Sequence, residues 1–371
     1  MHNLNYITYQ TFPAFTANSI QTIANIKYLV RNQVNVSLYF PLRAVTSTDN
    51  IGELKKFYSI EEDFQAYGME HNLPFGKFKI FNRILFLISH LIWSYQTVKT
   101  IANEKPESDL FFTRSDWVFY FLSKRNRTVV FECHQFTKIR RLIINSALKK
   151  KTSKIIFLNT LLKKDYEEKY LLSENFIVLH NAVDLEYFSE IPETHGSELV
   201  FIGKLKRFNN SRNIDFLLKG LACLDKKYTI KIVGATKAEI KELETVAFAL
   251  GVNKRLKVLE TVPYNKVANQ LSTSSIGVLI NSKFNSHSTR YTSPLKYFEY
   301  LAAGLKVLAV DYPSHRDLPY SEKIEYFDEN SLESFISAVH RLDKKVKTRQ
   351  SEISSISLDV RAKEIIKFLS T

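Results

Sequence analysis

The sequence predicts an α/β fold made of two doubly wound halves in tandem. Short apolar segments alternate with helix-length periodic stretches almost throughout the chain. The apolar segments recur every few tens of residues, as crossovers between parallel strands require. Near the middle a polar stretch, Ser189–Ser197, containing Pro192 and Gly196, interrupts the pattern and reads as a linker. With 371 residues, 45% hydrophobic and 24% charged, the chain can fill two cores.

In the first half the expected strands are Tyr6–Tyr9, Val36–Phe40, Leu110–Thr113, Val129–Phe131, Lys154–Leu158 and Phe176–Leu179. The clearest helix between them is Ser19–Val30, with Asn18 and Ser19 at its start, where their side chains suit an N-cap. In the second half the expected strands are Leu199–Ile202, Thr229–Val233, Leu256–Leu259, Gly277–Ile280, Leu305–Val310 and Ile324–Phe327. Lys344–Ser357 is polar and reads as a loop before a last amphipathic helix, about Leu358–Leu369. The expected domains are residues 1–183 and 184–345, with 346–371 returning to pack on the first.

Composition narrows the function classes. Two cysteines, Cys133 and Cys223, are too few for a disulfide framework or a thiolate metal site, and suit a reducing cytoplasm. The first twenty residues lack a basic start followed by an apolar run, so no secretory leader is expected. Ser89 and His90 break the longest apolar run, Ile84–Trp93, which is shorter than the roughly 20 residues that span a bilayer. A net charge of +14 calls for an anionic partner: nucleic acid, a membrane surface or phosphorylated small molecules. The basic and aromatic segment Gly76–Lys99, with Lys77, Lys79, Arg83 and Lys99 around Phe78, Phe81, Phe86 and Trp93, suits either a buried helix or an anionic membrane interface.

The segment Arg290–Val310, RYTSPLKYFEYLAAGLKVLAV, is the most informative. Ser293 suits an N-cap, Pro294 the first helical position, and Gly304 the stop. Lys296 then falls in the first turn, where the helix dipole disfavours a cation unless an anion is bound there. Glu299, three residues on, shares its side of the helix. Such a pair can hold a diphosphate and a ribose together, or be an ordinary solvated Lys–Glu pair.

Six motifs in order make the second half similar to retaining glycosyltransferases of family 4. They are VLHNAVDLEYF (Val178–Phe188), LVFIGKL (Leu199–Leu205), RNIDFLLKGL (Arg212–Leu221), YTIKIVG (Tyr228–Gly234), ALGVNKRLKVLETVPY (Ala249–Tyr264) and SPLKYFEYLAAG (Ser293–Gly304). The first half resembles the family less specifically, through TFPAFTANSIQTI (Thr11–Ile23) and VVFECHQF (Val129–Phe136). The resemblance implies the GT-B fold, two Rossmann-like domains with a cleft between them. It implies transfer of a sugar from a nucleoside-diphosphate sugar to a glycan or lipid-linked hydroxyl, with retention, in surface polysaccharide synthesis.

Carried over by motif, Lys204 and Arg212 grip the donor diphosphate and serve catalysis together with His134. Gly203, Arg290, Ser293, Pro294, Leu295 and Lys296 line the donor, and Glu299 meets the ribose. Asn18, Ser19 and His134 face the acceptor. Three departures stand out: Tyr291 where many members carry a first glutamate, a longer loop between Lys204 and Arg212 that makes Lys206 or Arg207 a substitute, and Ala182 for the crossover glycine. No cofactor and no metal are implied, and no Asp-x-Asp pair stands in a suggestive place. The expected location is cytoplasmic, peripheral at the inner face of the membrane. A hydrolysing epimerase of the same fold would need further acids and bases. A nucleic-acid binder would need a module pattern that the chain lacks.

Overall fold

The computed structural model describes residues 3–71, 82–166, 170–172, 174–189, 196–207 and 210–370, with the side chains of 82, 83 and 207 left aside. The chain divides into two units, Met1–Leu179 with Leu358–Thr371, and His180–Ser357.

Among the described residues, the first unit is built on a sheet of seven strands: β1 (Asn3–Ile7), β2 (Asn35–Leu42), β3 (Gln65–Glu70), β4 (Leu110–Thr113), β5 (Val129–Cys133), β6 (Ser153–Phe157) and β7 (Phe176–Val178). Its spatial order is β3-β2-β1-β4-β5-β6-β7 and every pairing is parallel. The helices are α1 (Ala17–Arg31), α2 (Ile51–Tyr58), α3 (Asn82–Glu104), α4 (Asp116–Lys124), α5 (Lys138–Leu148) and α6 (Thr160–Lys164).

The second unit carries a parallel sheet of β8 (Glu198–Ile202), β11 (Thr229–Ala235), β12 (Leu256–Glu260), β13 (Ile276–Leu279), β14 (Lys306–Val310) and β15 (Ile324–Phe327). Its order is β12-β11-β8-β13-β14-β15. A small hairpin, β9 (Lys206–Arg207) and β10 (Asn210–Ser211), follows β8. Its helices are α7 (Ile214–Cys223), α8 (Lys237–Ala249), α9 (Val267–Leu271), α10 (Leu295–Ala302), α11 (Pro313–Arg316) and α12 (Leu332–Lys344). The last helix, α13 (Leu358–Ser370), belongs to the first unit and packs on α1.

In both sheets the strand order reverses once, at β1/β4 and at β8/β13. Open parallel sheets bind ligands at the carboxyl ends of the strands beside such a reversal. In the second unit the reversal is specially built. β8 and β13 pair only at Leu199↔Ile276 and Val200↔Gly277 and then part. Tyr300 of α10 fills the fork: its hydroxyl accepts from the Ile202 N–H at 3.1 Å and donates to the Val278 carbonyl at 3.4 Å. A side chain on Gly277 would collide with the Tyr300 ring. Gly277 and Tyr300 together seat α10 against the central strands.

Where strand content was concealed, polarity concealed it. β1 starts at Asn3, earlier than the expected Tyr6, because Asn3 and Asn5 disguise its first residues. The unexpected β3 is half exposed and reads QAYGME, with little apolar content. The expected loop Lys344–Ser357 contains a 3-10 helix, Gln350–Ile356, that buries Ile353 and Ile356. α1 is capped by Thr16, not by Asn18 or Ser19, so that Ser19 lies one turn in with its hydroxyl bonded to Thr16 and Thr11.

The first unit is tied internally by a buried charge cluster. Glu132 on β5 is fully buried and accepts from Arg361 of α13 at 2.6 Å, while Arg361 also donates to Asn25 of α1 at 3.1 Å. Burial alone would raise the Glu132 pKa; Arg361, His134 and Arg114 hold it well below the usual carboxylate range. Removing one partner of a buried pair leaves the other charge uncompensated. Arg361→Ala should therefore cost about 3–5 kcal/mol in urea unfolding, and Glu132→Leu with Arg361→Met should recover much of it. A loss under about 1 kcal/mol for Arg361→Ala would show that the cluster does not hold α13.

Candidate functional site

The second unit gathers its candidate residues at the carboxyl end of β8. Gly203 follows that strand with φ +124°, and its N–H donates to Val233 on β11 at 2.8 Å. Gly234, at a register irregularity in β11, has φ +117°. A Cβ on Gly234 would lie 2.7 Å from the Gly203 carbonyl oxygen, so only glycine permits this approach. On its open side Gly203 is covered by two cations. A Cβ there would meet Lys296 Nζ at 3.4 Å and Arg212 Nη1 at 3.5 Å. Both lie over Phe201, with Lys296 Nζ 3.9 Å and the Arg212 guanidinium carbon 6.0 Å from the ring centroid.

Two local structures bring these cations together. The hairpin β9/β10 turns the chain back so that the Arg212 N–H donates to the Leu205 carbonyl at 2.9 Å, which returns a residue distant in sequence to Gly203. Lys296 lies in the first turn of α10. The sequence expectation for that helix start needs correcting. Pro294, extended at φ −74° and ψ 124°, is the N-cap, and Leu295 is the first helical residue. Ser293 is instead spent on the crossover segment: its hydroxyl accepts from the Asn181 N–H at 3.0 Å and its carbonyl from the Asn181 amide at 2.5 Å. No side chain caps α10, so its leading N–H groups, apart from that of Tyr297, which bonds Pro294, keep the capacity to bind an anion. At the far end Gly304, with φ +69°, closes the helix.

Glu299 lies one turn beyond Lys296 and is buried. Its carboxylate makes no hydrogen bond among the described residues. Burial raises its pKa to about 7, against the opposing pull of Lys296. His315 of α11 is also buried in this unit and donates from Nδ1 to the Val310 carbonyl at 2.7 Å. Burial, with Lys296 adding to it, lowers its pKa to about 4 and keeps it neutral. Nothing in the sequence had marked His315. Lys204 and Arg290 are exposed, whereas Arg212 and Lys296 meet at Gly203.

In the first unit, His134 follows β5 and both of its ring nitrogens are engaged. Arg114 donates to Nδ1 at 3.0 Å, and Nε2 lies 2.5 Å from Glu132 Oε1. An arginine only donates and a carboxylate only accepts, so the ring is the neutral Nε2–H tautomer. Burial first, then Arg114, lowers its pKa to about 4. Arg114 also donates to the carbonyl and the side-chain oxygen of exposed Asn18, both at 3.3 Å. Asn18 and His134 are thus joined through Arg114, whereas the Ser19 hydroxyl is turned inward. A second polar group lies at the carboxyl end of β1. Tyr9 bonds His71 at 2.6 Å and Ser89 at 2.8 Å, and stacks on His90 at 4.5 Å. No spacing in the sequence joins these four residues.

Known proteins place this architecture. Residues 196–344 match the family described as "Glycosyl transferases group 1". The whole chain superposes on sucrose-phosphate synthase from Thermosynechococcus elongatus, with a TM-score of 0.66 and 14% identity over 100% of this chain and 95% of that one. It superposes on Anabaena HepE in complex with UDP with a TM-score of 0.66 and 14% identity over 100% of both chains. For the lipopolysaccharide outer core galactosyltransferase WaaB the TM-score is 0.63, with 13% identity over 100% of both chains. The fold is GT-B. No curated protein sequence matches the chain.

The raised pKa of Glu299 fixes a sign. In the folded state its neutral form is favoured, so its contribution is fully present below the ordinary carboxylate pKa and is lost as pH rises towards about 7. Glu299→Gln should therefore stabilise the ligand-free protein by on the order of 2 kcal/mol at pH 8 and hardly at all at pH 4.5. Denaturant unfolding at the two pH values checks this. An equal effect at both would show that the carboxylate is not ionising in a buried place.

Proposed function

We propose that this chain is a glycosyltransferase of family 4 that moves a sugar, with retention, from a nucleoside-diphosphate sugar to a hydroxyl of a glycan or lipid-linked acceptor in surface polysaccharide synthesis. The observation that carries the reading is the meeting of Arg212 and Lys296 over Gly203, beside an uncapped helix start. That arrangement suits a diphosphate. Glu299, buried and without a hydrogen bond among the described residues, suits a ribose hydroxyl pair, which would supply the donors it lacks. The match to the glycosyl transferase family over 196–344 and the UDP bound to the structurally similar HepE support the same assignment.

The chemistry follows from charge. As the acceptor oxygen bonds the anomeric carbon, the bond from that carbon to the diphosphate breaks and negative charge grows on the leaving phosphate. Lys296, Arg212 and the helix N–H groups are fixed where that charge develops, the preorganised arrangement that lowers a barrier most. With retention, the acceptor's proton passes to the departing phosphate oxygen on the same face, and no protein base is required. Two fixed cations compensate the diphosphate in place of a divalent ion, so turnover should survive EDTA. His134, with both nitrogens engaged, acts as a positioning residue that holds Arg114 and Glu132.

UDP at about 100 times its dissociation constant should stabilise the protein by roughly 2.7 kcal/mol. Arg212→Ala and Lys296→Ala should each weaken UDP at least tenfold while changing uridine affinity little, and should abolish turnover in a nucleotide-sugar screen. Equal losses for UDP and uridine would overturn the phosphate assignment.

We also propose peripheral membrane binding. Ile84, Leu87 and Ile88 on α3 are 47–56% exposed and share one helical face, and among the described residues no helix is long and apolar enough to cross a membrane. Of the basic and aromatic segment expected at the interface, Lys77, Phe78, Lys79 and Phe81 lie outside the described residues, and Trp93 is buried in the core instead. Leu87→Glu with Ile88→Glu should reduce sedimentation with anionic vesicles at low salt. Unchanged sedimentation, or none with the unaltered protein, would overturn it.

A further inference from the structure

At the amino ends of β1, β2 and β3, the edge opposite His134, the first unit has a cavity of about 450 Å³. Its polar lining is Asn3, Asn5, Asn35, Ser37, Gln65 and Asp109, together with the charged Lys105 and Asp63. Parallel sheets are normally apolar on both faces. Here the register sets polar residues side by side: Asn3 pairs with Asn35, Asn5 with Ser37, and Ser37 with Gln65. The next row on the same face is aromatic. Tyr39 pairs with Tyr67, and their rings stack at 4.9 Å and 14°.

Hydrogen bonds tie the cavity floor together. Asp109, only 5% exposed, accepts from Asn3 at 3.3 Å and from Asn5, itself 2% exposed, at 3.1 Å. Asn35 donates to Asn3 at 3.3 Å, Ser37 to Gln65 at 3.1 Å, and the Tyr67 hydroxyl to Gln65 at 2.8 Å. Side-chain amides offer both donors and acceptors, carboxylates only acceptors. This mixture suits hydroxyl groups, which donate and accept at once.

Other ligand classes fit poorly. The carboxylates of Asp63 and Asp109 oppose an anion, and the Lys105 ammonium lies over the Tyr67 ring, 5.9 Å from its centroid. Among the described residues no three His, Cys, Asp or Glu side chains gather to hold a metal ion. Phe64 and Val36 alone give too little apolar lining for a hydrophobic molecule. We propose that this cavity is a binding site for a neutral oligosaccharide, separate from the donor-binding residues and seated on the amide row, with Tyr67 as its aromatic neighbour. The volume lies within the range of small-molecule sites.

The test measures binding and does not depend on turnover. Maltoheptaose, cellopentaose, mannopentaose and glucose are titrated into the full chain saturated with UDP, by calorimetry. At least one oligosaccharide should bind in the millimolar range or tighter. Asn35→Ala with Gln65→Ala, both exposed positions, should weaken it at least tenfold, and Tyr67→Ala should weaken it further, while UDP affinity stays constant. Thermal unfolding of each variant shows that it is folded. Absence of binding by all four sugars, or binding that both variants leave unchanged, would overturn the site. Failure of the unaltered chain to bind UDP, with sugar binding kept, would instead count against the glycosyltransferase reading, and loss of UDP binding in these variants would overturn a separate sugar site.

Discussion

The arrangement of Lys296 and Arg212 over Gly203 depends on one backbone contact, the approach of Gly234 to the carbonyl of Gly203. Two strands can end this close only where neither residue has a side chain and both adopt φ values that an L-residue avoids. The space above Gly203 is then available to Lys296 and Arg212, which come from different elements and would repel one another in an apolar setting. The Phe201 ring beneath them offers its negative face to both. A side chain at either glycine would therefore do more than strain a turn. It would displace the cations from the carboxyl end of the central strand, and the uncapped start of α10 would stand alone.

α10 is held to that place from three directions, each with its own chemistry. Tyr300 bonds into the fork between β8 and β13. Asn181 takes both hydrogen-bonding groups of Ser293. Pro294 sets the entry angle and contributes no N–H of its own. Spending Ser293 on Asn181 costs the helix a cap worth about 1 kcal/mol. The same trade leaves the first N–H groups of α10 without a side-chain cap and joins the Asn181 segment to the first turn of α10. A serine before a proline and a helix reads as a cap in sequence; tertiary contact decided otherwise.

Apolar runs made most of the fold legible, since buried parallel strands such as Ile276–Leu279 and residues 307–310 of β14 have little choice but to be apolar. Failures came where polarity had a purpose. Asn3 and Asn5 fit a strand because Asp109 accepts from both of their amides, which no periodicity reveals. On the donor side, motif order marked Arg212, Lys296 and Glu299. The hairpin that returns Arg212 to Gly203 was concealed in a segment that reads as a loop. Glu132 carried no sign of its importance, because its partner Arg361 is 229 residues away in sequence. Long-range pairing of charges is the information that a single sequence holds least openly.

The two buried glutamates show how partners, more than burial, set the state of a carboxylate. Glu132 and Glu299 are both shielded from water, and burial pushes both pKa values upward. Glu132 is met by Arg361, His134 and Arg114, and remains ionised as a structural knot. Glu299 has only the pull of Lys296, one helical turn away, and burial raises its pKa to about 7. A fold selected for stability alone would give such a carboxylate a hydrogen-bond donor or replace it. Its place beside Lys296 and an uncapped helix start makes sense if the donors it lacks arrive with a ligand.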